Sequence, residues 1–116
     1  MKLLNKEKAY IPKSKIKDYL LSDTHPVGRV KSKLFKKMGF NKENIELFER
    51  SILKIAHENE ITQNKVSSYG EKYIIDGTVC TPVGKTIALR TVWIIEHTDE
   101  RPRFVTAYPQ NKEFIS

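Results

Sequence analysis

The run from Ile87 to Ile95 constrains the fold more than any other part of the sequence, because almost every residue in it is aliphatic or aromatic. A segment that is apolar on both alternating faces is typical of a central strand with a covering layer on each side. Its polar exceptions are Arg90 and Thr91. After the polar tetrapeptide Thr98–Arg101, a second β-prone run extends from Arg103 to Tyr108. The two runs therefore predict a β-hairpin with a four-residue loop.

The pattern before this hairpin changes from a helical period to a strand period after Ile61. Lys65–Tyr69 and Glu71–Cys80 are predicted as strands, and the hairpin, Lys85–Tyr108, completes a four-stranded sheet. Because the links between these runs are short, we expect the strands to pair antiparallel in sequence order.

Three helices are predicted before the sheet. Pro12–Leu21 and Arg29–Met38 have apolar residues at helical spacing. A third helix begins at the N-cap candidate Asn41, with Asn44 as the second choice, and extends to about Asn59. Helices that precede a run of strands are typical of the α+β class. We therefore expect one domain over residues 1–116, in which a helical part at 12–60 packs on one face of an antiparallel sheet at 64–109.

The net charge of +7 comes from the first third of the chain. Residues 1–40 carry eleven Lys and Arg against three acidic residues, whereas residues 41–116 carry ten against eleven. A segregated basic surface indicates a polyanionic partner, and nucleic acid is favoured over a membrane. The alternative is a solvated basic face that binds nothing.

Several classes of site and of cellular location are disfavoured by composition. Cys80 is the single cysteine, which fits a reducing cytosol, and no apolar run approaches the roughly 20 residues of a membrane span. The N-terminus is too polar for a secretory signal. The sequence contains no Gly-rich phosphate loop, no paired Cys and no close His pair, so neither a cofactor nor a metal is predicted. We expect a soluble, cytoplasmic protein.

A set of polar residues remains that could cleave RNA without a metal. Attack by the RNA's own 2′-hydroxyl needs a group that takes its proton, a cation for the charge on phosphorus, and a donor for the leaving oxygen. Histidine moves protons near neutral pH, and arginine binds phosphate oxygens. The catalytic candidates are His25, Arg90, Thr106 and Tyr108, and the candidates for binding the RNA are Arg29, Lys31, Lys33, Lys36 and Thr91.

The register of the hairpin decides which polar residue of its first strand joins the site. Arg90 and Thr91 are neighbours on a strand and therefore point to opposite faces. One centring of the turn places Tyr108 opposite Thr91, and a shift by one residue places Tyr108 opposite Arg90. We favour Arg90, because an arginine in a buried strand without a destination would be a costly unpaired charge.

Each candidate also has a purely structural interpretation. His25 lies in a His-Pro turn and could hydrogen-bond its own loop. Thr106 and Tyr108 are ordinary strand residues. Arg90 could form an ion pair across the sheet. The carboxylates available for that pair are Glu71, Asp76 and Glu96.

Two long blocks of the sequence carry a resemblance to a known family. They are AYIPKSKIKDYLLSDTHPVGRVKSKLFKKMGF (Ala9–Phe40) and YGEKYIIDGTVCTPVGKTIALRTVWIIEHTDERPRFVTAYP (Tyr69–Pro109). Their HPVG segment with its basic helix, YG-KY strand pair, RTVWII strand and terminal VTAYP resemble the bacterial domain-of-unknown-function family 6883. That name implies a family but no activity.

The order of elements is also similar to the RNase toxins grouped as barnase, EndoU, colicin and RelE relatives. This similarity implies metal-independent RNA cleavage on the sheet and neutralisation by a small partner encoded beside the toxin. By position, His25 would resemble the group's helical-side histidine, Arg90 its strand cation, and Thr106 and Tyr108 its last-strand polar groups. A second catalytic histidine is not assigned here.

The sequence therefore predicts an endoribonuclease that leaves 2′,3′-cyclic phosphate ends, as the toxin of a toxin–antitoxin pair or a toxin effector domain. Its expected partners are RNA and a small acidic antitoxin or immunity protein, since acidic proteins complement basic toxins. The alternative is a non-catalytic RNA- or protein-binding module of the same fold, because fold does not imply function.

Overall fold

The structure, a computed structural model, describes residues 1–12, 15, 33 and 35–110. The predicted helices at 12–21 and 29–38 lie largely outside these residues. Their described members at 15, 33 and 35–37 have helical backbone. The third predicted helix is described over its whole length, and the α+β class is confirmed by the four-stranded antiparallel sheet that follows it.

Helix α1, Ile45–Glu58, continues from a 3₁₀ turn at Lys42–Asn44, as the N-cap prediction at Asn41 required. The Asn41 side chain accepts a hydrogen bond from the Glu43 amide at 2.8 Å, and the Asn41 amide donates to the Asn44 side chain at 2.8 Å. Reciprocal capping of this kind satisfies amide groups that the first turn leaves without partners. Within the described ranges, no helix is long and apolar enough to cross a membrane.

The sheet contains β1 (Ile61–Val66), β2 (Gly70–Cys80), β3 (Thr86–Glu96) and β4 (Arg103–Pro109) in sequence order, and every neighbouring pair is antiparallel. The predicted order and direction are confirmed. The first strand lies earlier than the predicted Lys65–Tyr69. The physical reason is that residues 67–69 form a turn, closed by the Ser67 amide donating to the Gly70 carbonyl at 2.8 Å.

The core lies between α1 and one face of the sheet. The buried face of α1 carries apolar residues at intervals of three and four, and the odd-numbered apolar residues of β2 and β3 meet it. Phe40 stacks on Phe48 with ring centroids 4.4 Å apart, and Trp93 meets Phe104 edge-on at 5.4 Å. The largest buried side chains of this core are Trp93, Phe35, Phe40, Phe48, Phe104, Met38, Ile52, Ile55 and Ile75.

The opposite face of the sheet, which we call the distal face, is turned away from α1. Alternation along the strands and the pairing of β2 with β3 and of β3 with β4 determine its members. A register shift after Val92 makes Trp93 face Phe104 and leaves Val105 as an extra residue in β4. The central residues of the distal face are Lys72, Ile74, Asp76, Arg90, Val92, Ile94, Thr106 and Tyr108.

Candidate functional site

The pairing of β3 with β4 brings three of the predicted catalytic residues to the distal face. Arg90 lies directly opposite Tyr108, and Thr106 lies opposite Val92, two positions further along the same face. This is the second of the two registers considered for the hairpin, and it is the one that favours Arg90. Each of the three side chains is only partly buried.

Arg90 is held by Asp76, which lies opposite it on β2. The guanidinium donates from Nε to Oδ1 at 2.8 Å and from Nη2 to Oδ2 at 2.9 Å, a bidentate geometry. The side chains of Arg90 and Asp76 are 26% and 28% exposed, so solvent screens the pair only in part. The cross-strand ion pair that was one interpretation of Arg90 is therefore present, with Asp76 as its partner.

The electrostatics around Arg90 keep it charged at every accessible pH. The hydrogen bond to Asp76 raises the pKa of the Arg90 guanidinium, against a smaller opposing effect of desolvation, and a hydrogen bond with Tyr108 raises it further. Arginine has five N–H donors, more than the two that Asp76 accepts. A fixed cation beside a phenol and a threonine hydroxyl is suited to binding a phosphate group.

The other two carboxylates that could have paired with Arg90 have different partners. Glu96 accepts from Arg103 Nη2 at 2.8 Å and from Nε at 3.0 Å. Glu71 lies on the α1 side of the sheet, where it interacts with Asn64 and Tyr73, and burial together with Glu71 raises the pKa of the Tyr73 hydroxyl. Asp76 is thus the one of the three that faces Arg90 across the sheet.

Thr91 was predicted to bind substrate, and its position in the structure contradicts that prediction. Its side chain is completely buried on the α1 side of the sheet. The hydroxyl donates to the Ile75 carbonyl at 2.7 Å and accepts from Trp93 Nε1 at 2.9 Å. Because neighbours on a strand alternate between faces, the register that places Arg90 on the distal face places Thr91 in the core.

The N-terminal segment carries five of the predicted site residues. His25, Arg29 and Lys31 lie outside the described residues. Lys33 is exposed and Lys36 is half-buried, and both flank Phe35, whose ring packs 4.8 Å from that of Phe48 in the helical layer. Roles for these five residues in binding or catalysis therefore stay predictions.

A concavity of about 300 Å³ on the distal face was missed by sequence reasoning. Tyr69 is 76% exposed at its rim, and Lys72 lies directly opposite Ile94 in the register of β2 with β3. No signal in the sequence reveals the concavity, because residues of β2, β3 and β4 meet there only through the registers of the sheet. The residues that line it are Tyr69, Lys72, Ile94, Glu96, Arg103 and Val105.

The distal face offers polar and cationic chemistry. Among the residues that the structure describes, no group of three or more His, Cys, Asp and Glu side chains could hold a metal ion. Arg90 can stabilise negative charge, and the Tyr108 hydroxyl can donate or accept a hydrogen bond. A complete acid–base pair would need a further group, for which His25 remains the candidate.

Comparisons with known proteins identify the fold and the family. One solved structure, titled "Contact-dependent growth inhibition toxin - immunity protein complex from Klebsiella pneumoniae 342", contains a similar chain with a TM-score of 0.71 and 16% sequence identity. The match covers 91% of this chain and 97% of that chain, and at this identity it shows a shared fold. No curated protein matches the sequence significantly.

The family comparison covers nearly the whole chain. The profile described as "Domain of unknown function (DUF6883)" matches residues 2–111, which include all four strands and α1. The protein therefore belongs to the DUF6883 family.

Proposed function

We propose that the protein is a toxin of the toxin–immunity type and acts as a metal-independent endoribonuclease. The observation that carries the proposal is the convergence of Arg90, Thr106 and Tyr108 on the distal face, in the register that pairs Arg90 with Tyr108. The shared fold with a chain of a toxin–immunity complex supports the toxin role.

In the proposed reaction, the 2′-oxygen of the RNA attacks the adjacent phosphorus and the bond from phosphorus to the 5′-oxygen breaks. The products are a 2′,3′-cyclic phosphate end and a 5′-hydroxyl end. One group removes the 2′-hydroxyl proton and one returns a proton to the leaving 5′-oxygen. Arg90 stabilises the charge that builds on the non-bridging oxygens, His25 transfers one proton, and Thr106 or Tyr108 assists.

Asp76 has a definite place in this proposal. An arginine with a free side chain would lose considerable conformational freedom on binding a phosphate. The bidentate contact with Asp76 holds the guanidinium plane in advance, so that this cost is met on folding. Asp76 acts as a positioning residue for Arg90.

The proposed partner is a small acidic immunity protein. The chain has a net charge of +7, and association of oppositely charged proteins is fast because the encounter is steered by charge. An acidic protein that covered the distal face would block access of RNA to Arg90.

The decisive test incubates the purified protein with total RNA in excess chelator. We expect RNA fragments that end in 2′,3′-cyclic phosphate, and we expect Arg90→Gln and His25→Ala to lower the rate by about 10²- to 10³-fold. Lys54→Ala is the matched control, since Lys54 is exposed on α1 on the other side of the sheet. Full activity of both site variants, or activity that appears only after a metal is added, contradicts the proposal.

The contact with Asp76 also favours a second candidate function, a binding module without turnover. In that case the Arg90–Asp76 pair is a structural cross-strand contact and the distal face binds RNA or a protein without reaction. Induced expression in a bacterial host separates the two. Growth arrest with fragmented RNA and intact DNA supports the nuclease, and normal growth with intact RNA supports the binding module.

A further inference from the structure

We propose that the concavity lined by Tyr69, Lys72, Ile94, Glu96, Arg103 and Val105, here called the Tyr69 pocket, binds an unpaired base of single-stranded RNA beside the Arg90 site. The inference rests on the proposed function, because it assigns the substrate as single-stranded RNA. It adds a binding subsite that the catalytic candidates do not include.

Tyr69 presents an aromatic ring where a base can stack on it. Tyr69 is 76% exposed, whereas tyrosines are on average intermediate in burial. The turn that carries Tyr69 is ordered by its own contacts. The Tyr69 carbonyl accepts from the His97 amide at 3.0 Å, and the Ser67 side chain donates to the Gly70 carbonyl at 3.0 Å. The backbone that carries the ring is therefore ordered before a ligand arrives, which favours its use as a stacking platform for a single strand.

The residues that line the pocket match the apolar ring and the polar edge of a base. Ile94 and Val105 supply apolar surface for the ring of the base, and Glu96 and Arg103 form an ion pair that presents both an acceptor and donors to its polar edge. Because Glu96 neutralises Arg103, the net charge of the pocket comes from Lys72. Binding sites of this kind combine apolar surface with a few convergent polar groups.

Two lysines opposed across the sheet indicate where the RNA backbone would lie. Lys65 on β1 pairs directly with Lys72 on β2, and both side chains are exposed. Like charges directly opposite each other destabilise a sheet. In the part of the chain that the structure describes, neither lysine has a carboxylate within ion-pair distance. An anion bound between them relieves the repulsion, and a phosphate of the RNA backbone fits that requirement.

The Tyr69 pocket lies within reach of the Arg90 site along a single strand of RNA. Arg90 and Ile94 are on the same face of β3, four residues apart, which corresponds to about 13 Å at the usual rise of a strand. A cavity of about 150 Å³ beside the intervening Val92 is lined by Lys65, Lys72 and Ile74 among others. A strand that places its scissile phosphate at Arg90 can therefore place a neighbouring base on Tyr69. A base paired in a duplex could not stack there.

The test measures binding of a labelled single-stranded oligoribonucleotide in the Arg90→Gln background, in which cleavage is expected to be slow. We expect Tyr69→Ala to weaken affinity by about 5- to 150-fold and Tyr69→Phe to keep it within about twofold, because the phenyl ring still stacks. Lys72→Ala should weaken binding and lower the magnitude of the slope of log affinity against log salt by about 0.7. Lys54→Ala should change neither quantity, and thermal unfolding should show that all variants are folded.

The outcomes separate this inference from the proposed function. If the parent protein cleaves RNA, and Tyr69→Ala in the Arg90→Gln background binds the oligonucleotide as tightly as Arg90→Gln alone, the pocket assignment is overturned and the nuclease stands. If the parent does not cleave RNA but binds the single strand in a manner that depends on Tyr69, the pocket stands and the nuclease is overturned. If duplex RNA binds with the same dependence on Tyr69, recognition of an unpaired base is overturned.

Discussion

Arg90 and Thr91 show how much of the candidate site can be predicted from residue types alone. Both are polar in an apolar strand, and the cost of an unpaired charge favoured Arg90 over Thr91 for the site. The structure places Arg90 on the distal face, where Asp76 already pairs with it. Residue types alone could not show which carboxylate pairs with Arg90, because that pairing depends on the register of β2 with β3. The turn that sets this register is closed by Thr81, whose amide donates to the Lys85 carbonyl at 2.8 Å. No periodicity in the sequence reports such a contact.

Thr91 leads to a prediction about stability rather than activity. Thr91→Val conserves shape but removes the acceptor for Trp93 Nε1 in a fully buried position. A buried donor without a partner costs about 1–3 kcal/mol, so the free energy of unfolding in urea should fall by that amount. RNA cleavage per folded molecule should not change. Thr91→Ser, which keeps the hydroxyl, serves as the control. Loss of cleavage without loss of stability would contradict the buried position of Thr91.

Asp99 leads to a prediction about pH dependence. Hydrogen bonds from Arg101 lower the pKa of the Asp99 carboxyl from 3.8 to about 2, and Arg101 itself lies over the Tyr10 ring at 4.5 Å. Because the folded pKa is lower than the unfolded one, the contact stabilises the fold above about pH 3.8 and its contribution is lost as the pH falls towards 2. An NMR titration of the Asp99 carboxyl should show the low pKa. In Arg101→Gln the pKa should return to its ordinary value, and an identical titration in both proteins would exclude Arg101 as the cause.

At the scale of elements, the sequence predicts a helix or strand best where a regular apolar pattern continues over many residues and the ends are capped. Helix α1 has both, with apolar residues at steps of three and four and the Asn41 cap. Strand β1 has neither, because Ile61–Val66 is an edge strand that is largely exposed and mostly polar, so no alternation indicates it. The extra residue at Val105 is equally invisible, since a β-bulge depends on backbone geometry rather than on residue type.

The packing of α1 on β2 depends on Gly77. A Cβ at this position would lie 2.9 Å from Ile55 Cγ1 and 2.9 Å from the Asn59 side-chain nitrogen, closer than atoms pack. Gly77→Ala must therefore displace the helix or the buried Ile55 side chain, and overpacking of this kind costs about 1–3 kcal/mol. Urea unfolding measures the loss.

A double-mutant cycle shows whether Ile55 is the source of that cost. Ile55→Ala removes the atoms that Gly77→Ala would meet, so the double variant should lose less stability than the sum of the two single variants. Strict additivity, or a stable Gly77→Ala protein, would show that α1 does not approach β2 as closely as described.

At the scale of the whole molecule, charge and the proposed function are linked through two groups of cations. The sequence places its positive excess in residues 1–40, whereas the distal face carries Arg90 and Arg103 as ion pairs and Lys65 and Lys72 without carboxylate partners among the described residues. Composition could predict a polyanionic partner, because charge sums along the chain. It could not reveal the second group of cations, since Lys65 and Lys72 become neighbours only when β1 pairs with β2.

The salt dependence of RNA binding measures how much each group of cations contributes. In the Arg90→Gln background, log affinity for a single-stranded oligoribonucleotide should fall linearly with log salt, with a slope of about −0.7 for each phosphate contacted. If the lysines of the N-terminal segment contact phosphates of the RNA, the Lys31→Gln, Lys33→Gln double variant should lower the magnitude of this slope by about 1.4. Lys54→Gln on α1 should leave it unchanged. An unaltered slope in the double variant would mean that Lys31 and Lys33 are solvated and contact no phosphate of the RNA. The share of the distal face would still be measured by the change of slope in Lys72→Ala, because that substitution removes one of its cations.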